Sequence, residues 1–342
     1  MATRASLLKA AAMASEVVKT SGMLDRIEND RYTRIDPFMI AGRHELPVML
    51  RPLKALLGAF VGGDHPGVLV NSARSAGLVH MTCAHELGHY FLGHPTTADE
   101  RLDYGSSAAS IEQEADIFAY HLLAPRKLIA RIARAKGWTG TSLPDPLVIY
   151  QLALRLGMSY RAMVWTLSSQ NLLPYKVAAD MAKVQPRDIK RAVLPTLEKG
   201  FEGDVWLLDK QDQQYVLEPR TTDRFVVDLP NHLTAGFQWT VDQVRDQGFT
   251  LEPLQLPTTP TTTVGSQKPF VAGGGAIRYV VQGGVDGVDD EAQRVLFDFV
   301  EKRAWQEAAT TRDRFEGVAQ FEVLPEGLDA QTKQALLAGA AD

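Results

Sequence analysis

Residues 75–93 read SAGLVHMTCAHELGHYFLG, with His85-Glu86-Leu87-Gly88-His89 at the centre. Met81, Ala84, Gly88 and Phe91 recur at spacings of three and four, which predicts a helix. Positions i and i+4 share a helix face, so the imidazoles of His85 and His89 reach one metal ion, and Glu86 follows beside its open position. Zinc at such a site lowers the pKa of water to about 7. A neighbouring carboxylate then takes the proton and passes it to a leaving amine. The expected cofactor is Zn2+, with His85 and His89 as ligands and Glu86 as the catalytic base. Gly88, in mid-helix, costs about 1 kcal/mol against alanine, so a packing reason is expected for it.

Zinc needs a third protein ligand, with water in the fourth position. A second helix, expected from about Ser110 to Leu123 and stopped by Pro125, offers Glu112 and Glu114. Glu112 shares its face with Ala115, Asp116 and Ala119, small residues that let two helices approach closely. Asp116 is there to accept a hydrogen bond from a ligand histidine. Glu114 shares its face with the bulkier Phe118 and His121. The helix faces favour Glu112, with Glu114 as the alternative. His94 lies five residues past His89, which on a continued helix turns it away from the ligands, leaving a surface or supporting role. Cys83 is expected as a small buried residue, and His65 and His80 carry no assigned role. Tyr90, Tyr120 and His121 are unranked candidates for an oxyanion donor.

Working outward, Gly67-Val68-Leu69-Val70-Asn71 is a β-branched run that reads as a strand, available to a substrate by strand addition. Residues 1 to about 30 read as helix. Residues 145–195 read as all-helical: one helix over 147–156, a Gly157-Met158-Ser159 turn with Ser159 as N-cap, and a second helix over 160–170. This pair has the outline of a helix-turn-helix, but its candidate reading helix carries one cation, Arg161, so a structural hairpin is expected. From Trp206 short runs at 224–227, 237–240, 277–281 and 295–299 alternate with turns, the pattern of an all-β sandwich. Residues 257–269, rich in Thr and Pro, read as a loop within it. The boundaries are then 1–140 for the metal-binding domain, 141–198 for a helical segment, 199–325 for the sandwich and 326–342 for a tail.

At 342 residues the chain is long enough for two or three domains. It is 45% hydrophobic and 23% charged, as a globular protein is, and its net charge of −5 gives no footprint for nucleic acid. One cysteine excludes an internal disulfide framework and suits a reducing compartment. No apolar run reaches the ~18 residues of a membrane span. Lys9 and Glu16 interrupt the Ala-rich start and break a signal-peptide core. The expected location is the cytoplasm, without membrane association.

The run from His85 to His94, followed by Glu112-Gln113-Glu114-Ala115-Asp116-Ile117-Phe118-Ala119 and Leu122-Leu123-Ala124-Pro125, resembles the ImmA/IrrE metallopeptidases, whose pattern is a zinc helix, then E-x-x-A-[ND]-x-F-A, then L-L-x-P. The resemblance spans roughly residues 45–170. It implies a gluzincin-like cytoplasmic endopeptidase, and it maps the ligand glutamate to Glu112. It also implies a helix-turn-helix repressor as protein substrate, whose cleavage switches on stress or mobile-element genes and so regulates transcription.

The C-terminal region has a resemblance of its own. Residues 229–239, Leu-Pro-Asn-His-Leu-Thr-Ala-Gly-Phe-Gln-Trp, are similar to the first loop of chagasin-like cysteine-protease inhibitors, with pattern N-P-T-T-G-Y/F-x-W. Gly273-Gly274-Gly275 resembles their glycine-rich loop and Arg303-Ala304-Trp305 their R-P-W loop. His232 stands where that family has Asn, Leu233 for Pro, Ala235 for the second Thr and Ala304 for Pro. The resemblance implies an immunoglobulin-like sandwich that meets a protein ligand through His232, Thr234, Gly236, Phe237, Arg303 and Trp305. The expected fold is therefore α+β: a gluzincin-like zinc peptidase domain with a helical segment, followed by an all-β immunoglobulin-like sandwich. The alternative functions are a non-catalytic regulator stabilised by metal and a protease inhibitor acting through the sandwich.

Overall fold

The computed structural model describes residues 2–99, 110–240, 250–254, 276–282, 294–303, 311–324 and 326–328. The chain divides into two compact units, one of Met1–Ile189 with Val323–Asp342 and one of Lys190–Glu322.

In the first unit, α1 (Arg4–Thr20) starts where the Thr3 hydroxyl accepts from the Ser6 amide. Gly22, at φ 64°, separates it from α2 (Met23–Glu28), so the single helix expected over the first 30 residues is two. Asp36 accepts from the Phe38 and Met39 amides, and Pro37 opens α3 (Pro37–Arg43) with its preset φ. Three strands follow: β1 (Val48–Arg51), β2 (Gly58–Val61) and β3 (Gly67–Asn71). β1 runs parallel to β3, and β2 runs antiparallel to it. The buried side chains of Val48, Leu50, Val68 and Val70 give the sheet an apolar face.

The metal-motif helix is α4 (Ala76–Leu92), with Ser75 at the N-cap position, and it is ended by Gly93 in the left-handed region at φ 72°. β4 (Thr97–Asp99) adds to β2. The second expected helix is α5 (Ser110–Leu123), which packs against both α1 and α4. α6 (Arg126–Ala135), α7 (Pro146–Arg155), α8 (Tyr160–Ser169) and α9 (Tyr175–Met181) follow, and α10 (Pro186–Val193) leads out. Ser159 caps α8 by accepting from the Ala162 amide, and α8 packs on α7 and α5.

The second unit is β-rich. Its strands are β5 (Val205–Leu208), β6 (Val216–Leu217), β7 (Arg224–Pro230), β8 (Phe237–Thr240), β9 (Thr250–Pro253), β10 (Ala276–Gln282), β11 (Arg294–Arg303) and β12 (Asp313–Gln320). They form two four-stranded sheets, β5-β7-β10-β9 and β6-β12-β11-β8. The four runs read as strands from sequence lie in β7, β8, β10 and β11. Phe225 of one sheet meets Phe297 of the other at 5.0 Å between ring centroids, and Phe299 meets Phe315 at 5.8 Å. All four rings are buried, in tilted and edge-on pairs, so buried aromatic area carries this core. Residues 257–269 and 273–275, read as loops from sequence, Trp305 and residues 329–342 lie outside the described residues.

β13 (Gly327–Leu328) belongs to the first unit. It pairs antiparallel with β1 and completes the order β13-β1-β3-β2-β4. The segment read as a tail from residue 326 thus contributes a strand. Contrary to the expectation that a substrate adds to β3, this strand is internal to the sheet. β3 is flanked on both sides, by β1 and β2, so its backbone is already paired and it offers no free side for a substrate strand.

Candidate metal centre

α4 holds its two histidines deep in the first unit. His85, Glu86 and His89 are at most 1% exposed. Their burial follows from the neighbours: β2 and β3 pack on one side of α4, and α5 packs on another. The α4–α5 approach is close because both partners are small. A Cβ placed on Gly88 would lie 3.0 Å from Ala115 Cα and 3.1 Å from the Ala115 carbonyl oxygen. This is the packing reason expected for Gly88.

Across that contact α5 delivers its acidic residues. Glu112 Oε2 lies 3.1 Å from His85 Nε2 and 3.5 Å from His89 Nε2, and the two Nε2 atoms are 3.1 Å apart. Tetrahedral zinc with bonds of about 2.0–2.1 Å has ligand–ligand edges of roughly 3.3 Å. The three atoms therefore form one face of a zinc-sized tetrahedron, and imidazole nitrogens with a carboxylate oxygen are the donor set zinc takes. Hydrogen bonds from His85, then from His89, hold the Glu112 carboxyl well below the usual carboxylate range, so it is a ready anionic donor at neutral pH.

Each histidine is gripped at its other nitrogen. Asp116 Oδ1 lies 2.9 Å from His85 Nδ1. His94 Nδ1 lies 2.9 Å from His89 Nδ1, and His94 Nε2 lies 3.3 Å from Glu114 Oε2. Burial, then the neighbouring His89, lowers the His94 pKa and favours its neutral form. His94 is not turned away from the ligands, because the helix ends at Leu92. Gly93, with positive φ, reverses the chain, and the His94 amide bonds the His89 carbonyl at 2.9 Å. A helical wheel extended past the cap gives the wrong direction.

Glu86 stands beside β2. Gly58 lacks the side chain that would crowd it: a Cβ there would fall 2.6 Å from Glu86 Oε1 and 2.4 Å from Thr82 Cγ2. Sequence reading passed over Gly58. Its only signal is a glycine inside a strand, which marks close approach of another group. Of the oxyanion candidates, Tyr90 packs edge-on against Phe60. Tyr120 lines a cavity of about 790 Å3 with Asp116, Gln113 and Trp165, and burial lowers the His121 pKa. None is thereby ranked above the others.

Residues 41–168 match the Peptidase_M78 family model, the IrrE N-terminal-like domain. The Peptidase_M78 segment contains all of α4 and α5, and so every residue of the centre just described. It marks the first unit as carrying a metallopeptidase-like domain. No curated protein matches the chain. Among solved structures, the cysteine protease inhibitor EhICP2 from Entamoeba histolytica is similar at 11% identity. That match covers 36% of this chain and 100% of the inhibitor, with a TM-score of 0.26, a likeness too slight to carry an argument.

In the second unit, outside the Peptidase_M78 segment, the loop residues chosen from sequence do gather in part. His232 Nδ1 lies 2.8 and 3.0 Å from the two oxygens of the fully buried Glu301. The guanidinium groups of Arg303 and Arg312 lie 4.9 and 5.0 Å from the Phe237 ring centroid. Gly236 takes φ 79° to end the short turn Leu233–Ala235 that holds Thr234. Sequence reading missed Glu301, in β11, and Arg312, just before β12, both far along the chain.

Proposed function

We propose that the protein is a zinc-dependent endopeptidase. The observation that carries this is the triangle of His85 Nε2, His89 Nε2 and Glu112 Oε2. Among the described residues three ligand atoms converge there, whereas structural zinc sites take four. Three ligands leave a position for water and substrate. Zinc bound there supplies a Lewis acid that polarises the scissile carbonyl and acidifies water. Glu86 takes the proton from the attacking water on its carboxylate and returns it to the departing amine nitrogen. Asp116 orients His85, and Gly58 leaves room for the Glu86 carboxylate.

The resemblance to ImmA/IrrE peptidases extends the proposal to a protein substrate in the cytoplasm, a helix-turn-helix repressor whose loss switches on stress genes. No helix among the described residues is long and apolar enough to cross a membrane. The second unit is proposed to be an immunoglobulin-like sandwich that binds a protein ligand through the His232, Phe237 and Arg303 end.

The experiment is Glu86→Gln. It is expected to keep equimolar zinc and to lose proteolysis by several orders of magnitude. Cleavage at near wild-type rate by this variant would overturn the mechanism. The substrate is found by mass spectrometry of proteins lost when active chain, but not the Gln variant, is added to a lysate of the parental cell.

A further inference from the structure

α5 presents three carboxylates to the histidines of α4 and its cap. Glu112 reaches the Nε2 atoms themselves, and Asp116 reaches His85 Nδ1 directly. Glu114 reaches His89 only through another ring, Glu114 Oε2 to His94 Nε2 and His94 Nδ1 to His89 Nδ1. The His94 side chain is 8% exposed and the Glu114 side chain 19%.

Two ring nitrogens 2.9 Å apart share one proton between them, since a donor must face an acceptor. If a metal takes His89 Nε2, the neutral ring carries its proton on Nδ1 and donates it. His94 Nδ1 is then the acceptor. Its own proton must sit on Nε2, where a carboxylate oxygen waits to receive it. The chain of donors therefore has a single direction: His89 to His94 to Glu114. The opposite direction would place two acceptors, His94 Nε2 and the Glu114 carboxylate, against each other and leave His89 without a proton on either nitrogen. Glu114 thus fixes the tautomer of a ring it touches, and through it the tautomer of a ring it does not touch.

We infer that His94 and Glu114 are positioning residues for the metal, locking His89 as the Nε2-ligating tautomer as Asp116 locks His85. This rests on the zinc site proposed above. Glu114, the carboxylate that does not reach the ligand triangle, acquires a role, and the two ligand histidines have unlike supports: a carboxylate for one, an imidazole backed by a carboxylate for the other. Because His94 is outside the ligand triangle, its effect on affinity should be separable from the effect of removing a ligand.

The test uses the full chain and zinc alone, with affinity read by competition against a chromophoric chelator. His94→Ala should weaken zinc binding by about 10- to 100-fold, the usual cost of losing a group that orients a ligand. His94→Asn places an amide oxygen near the former Nδ1 and accepts from His89 without help, so it should recover most of that loss. Glu114→Ala should weaken zinc binding in the wild-type background and have no effect in the His94→Asn background. Long-range nitrogen–proton NMR of the zinc-loaded wild type should show His89 protonated at Nδ1 and His94 at Nε2. The relay is overturned by wild-type affinity in His94→Ala, by an equal Glu114→Ala loss in both backgrounds, or by His94 protonated at Nδ1. The NMR arm needs no variant to fold. Failure of the underlying site looks different: His85→Ala would then bind zinc as tightly as wild type, which overturns both.

Discussion

Gly88 and Ala115 touch where α4 crosses α5, and the contact leaves little room for a methyl group: a Cβ on Gly88 would sit 3.0 Å from Ala115 Cα and 3.3 Å from Ala115 Cβ. This contact sets the distance over which Glu112 reaches the two histidines. In Gly88→Ala, a helix-propensity gain of about 1 kcal/mol opposes the crowding, so thermal stability should change little while zinc affinity falls several-fold. Gly88→Val should lose zinc altogether, and adding Ala115→Gly should restore part of the affinity of Gly88→Ala. Chelator competition on the purified variants checks this, and a Gly88→Val protein with wild-type affinity would show that the helix spacing does not set the ligand triangle.

Glu112 and Asp116 lie on one face of α5 but do different work. Glu112→Ala removes the proposed third ligand and should leave the protein zinc-free after dialysis against a weak chelator, with activity lost in step. Asp116→Ala leaves the ligands and loosens His85, which should cost about 10- to 100-fold in affinity. Zinc content by atomic emission separates the two, and a zinc-replete Glu112→Ala would mean the third ligand lies elsewhere.

Gly58 makes room for Glu86 rather than for the metal. Gly58→Ala places a methyl within 2.6 Å of Glu86 Oε1 and 2.4 Å of Thr82 Cγ2, and within 3.0 Å of the Leu69 carbonyl oxygen. The expected outcome is retained zinc with kcat reduced by at least tenfold. Adding Thr82→Ala should recover melting temperature more than kcat. If kcat recovers fully with stability, the glycine matters only for packing.

Much of this centre was legible from the chain. The i, i+4 histidines marked the helix and two members of a group that could hold a metal ion, and the small face of Glu112 anticipated the crossing at Gly88. His94 was not legible by the same logic, because its direction depends on one residue, Gly93, whose positive φ ends the helix and folds the chain back. Gly58 was hidden for another reason: a strand glycine says that something comes close without saying what. In the second unit, alternation showed where the strands run, but His232 meets Glu301 only because β8, just after its turn, pairs with β11, which no local pattern encodes.

The phenol of Tyr160 donates to the Met181 carbonyl at 3.0 Å and ties α8 to α9. Burial, then the charge of Asp145, raises its pKa to about 12, against about 10 in the unfolded chain. A raised folded pKa means that the stabilisation is complete below about pH 10 and is lost as the pH climbs through 12. Wild type should exceed Tyr160→Phe by about 1 kcal/mol at pH 8, and the gap should close between pH 10 and 12. Denaturant unfolding of both proteins at pH 8 and 11 measures it, and a gap that stays constant would contradict the assignment.

The pairing of Met49 with Leu328 and of Leu50 with Gly327 makes the first unit depend on residues encoded nearly three hundred positions later. A fragment ending at Ile189 keeps every proposed ligand and positioning group, yet it bares the backbone of β1 beside the exposed Met49. An uncovered strand of this kind recruits its like. Such a fragment should bind zinc and, as its concentration rises, grow into soluble oligomers and then precipitate, so that solubility rather than catalysis records the missing strand.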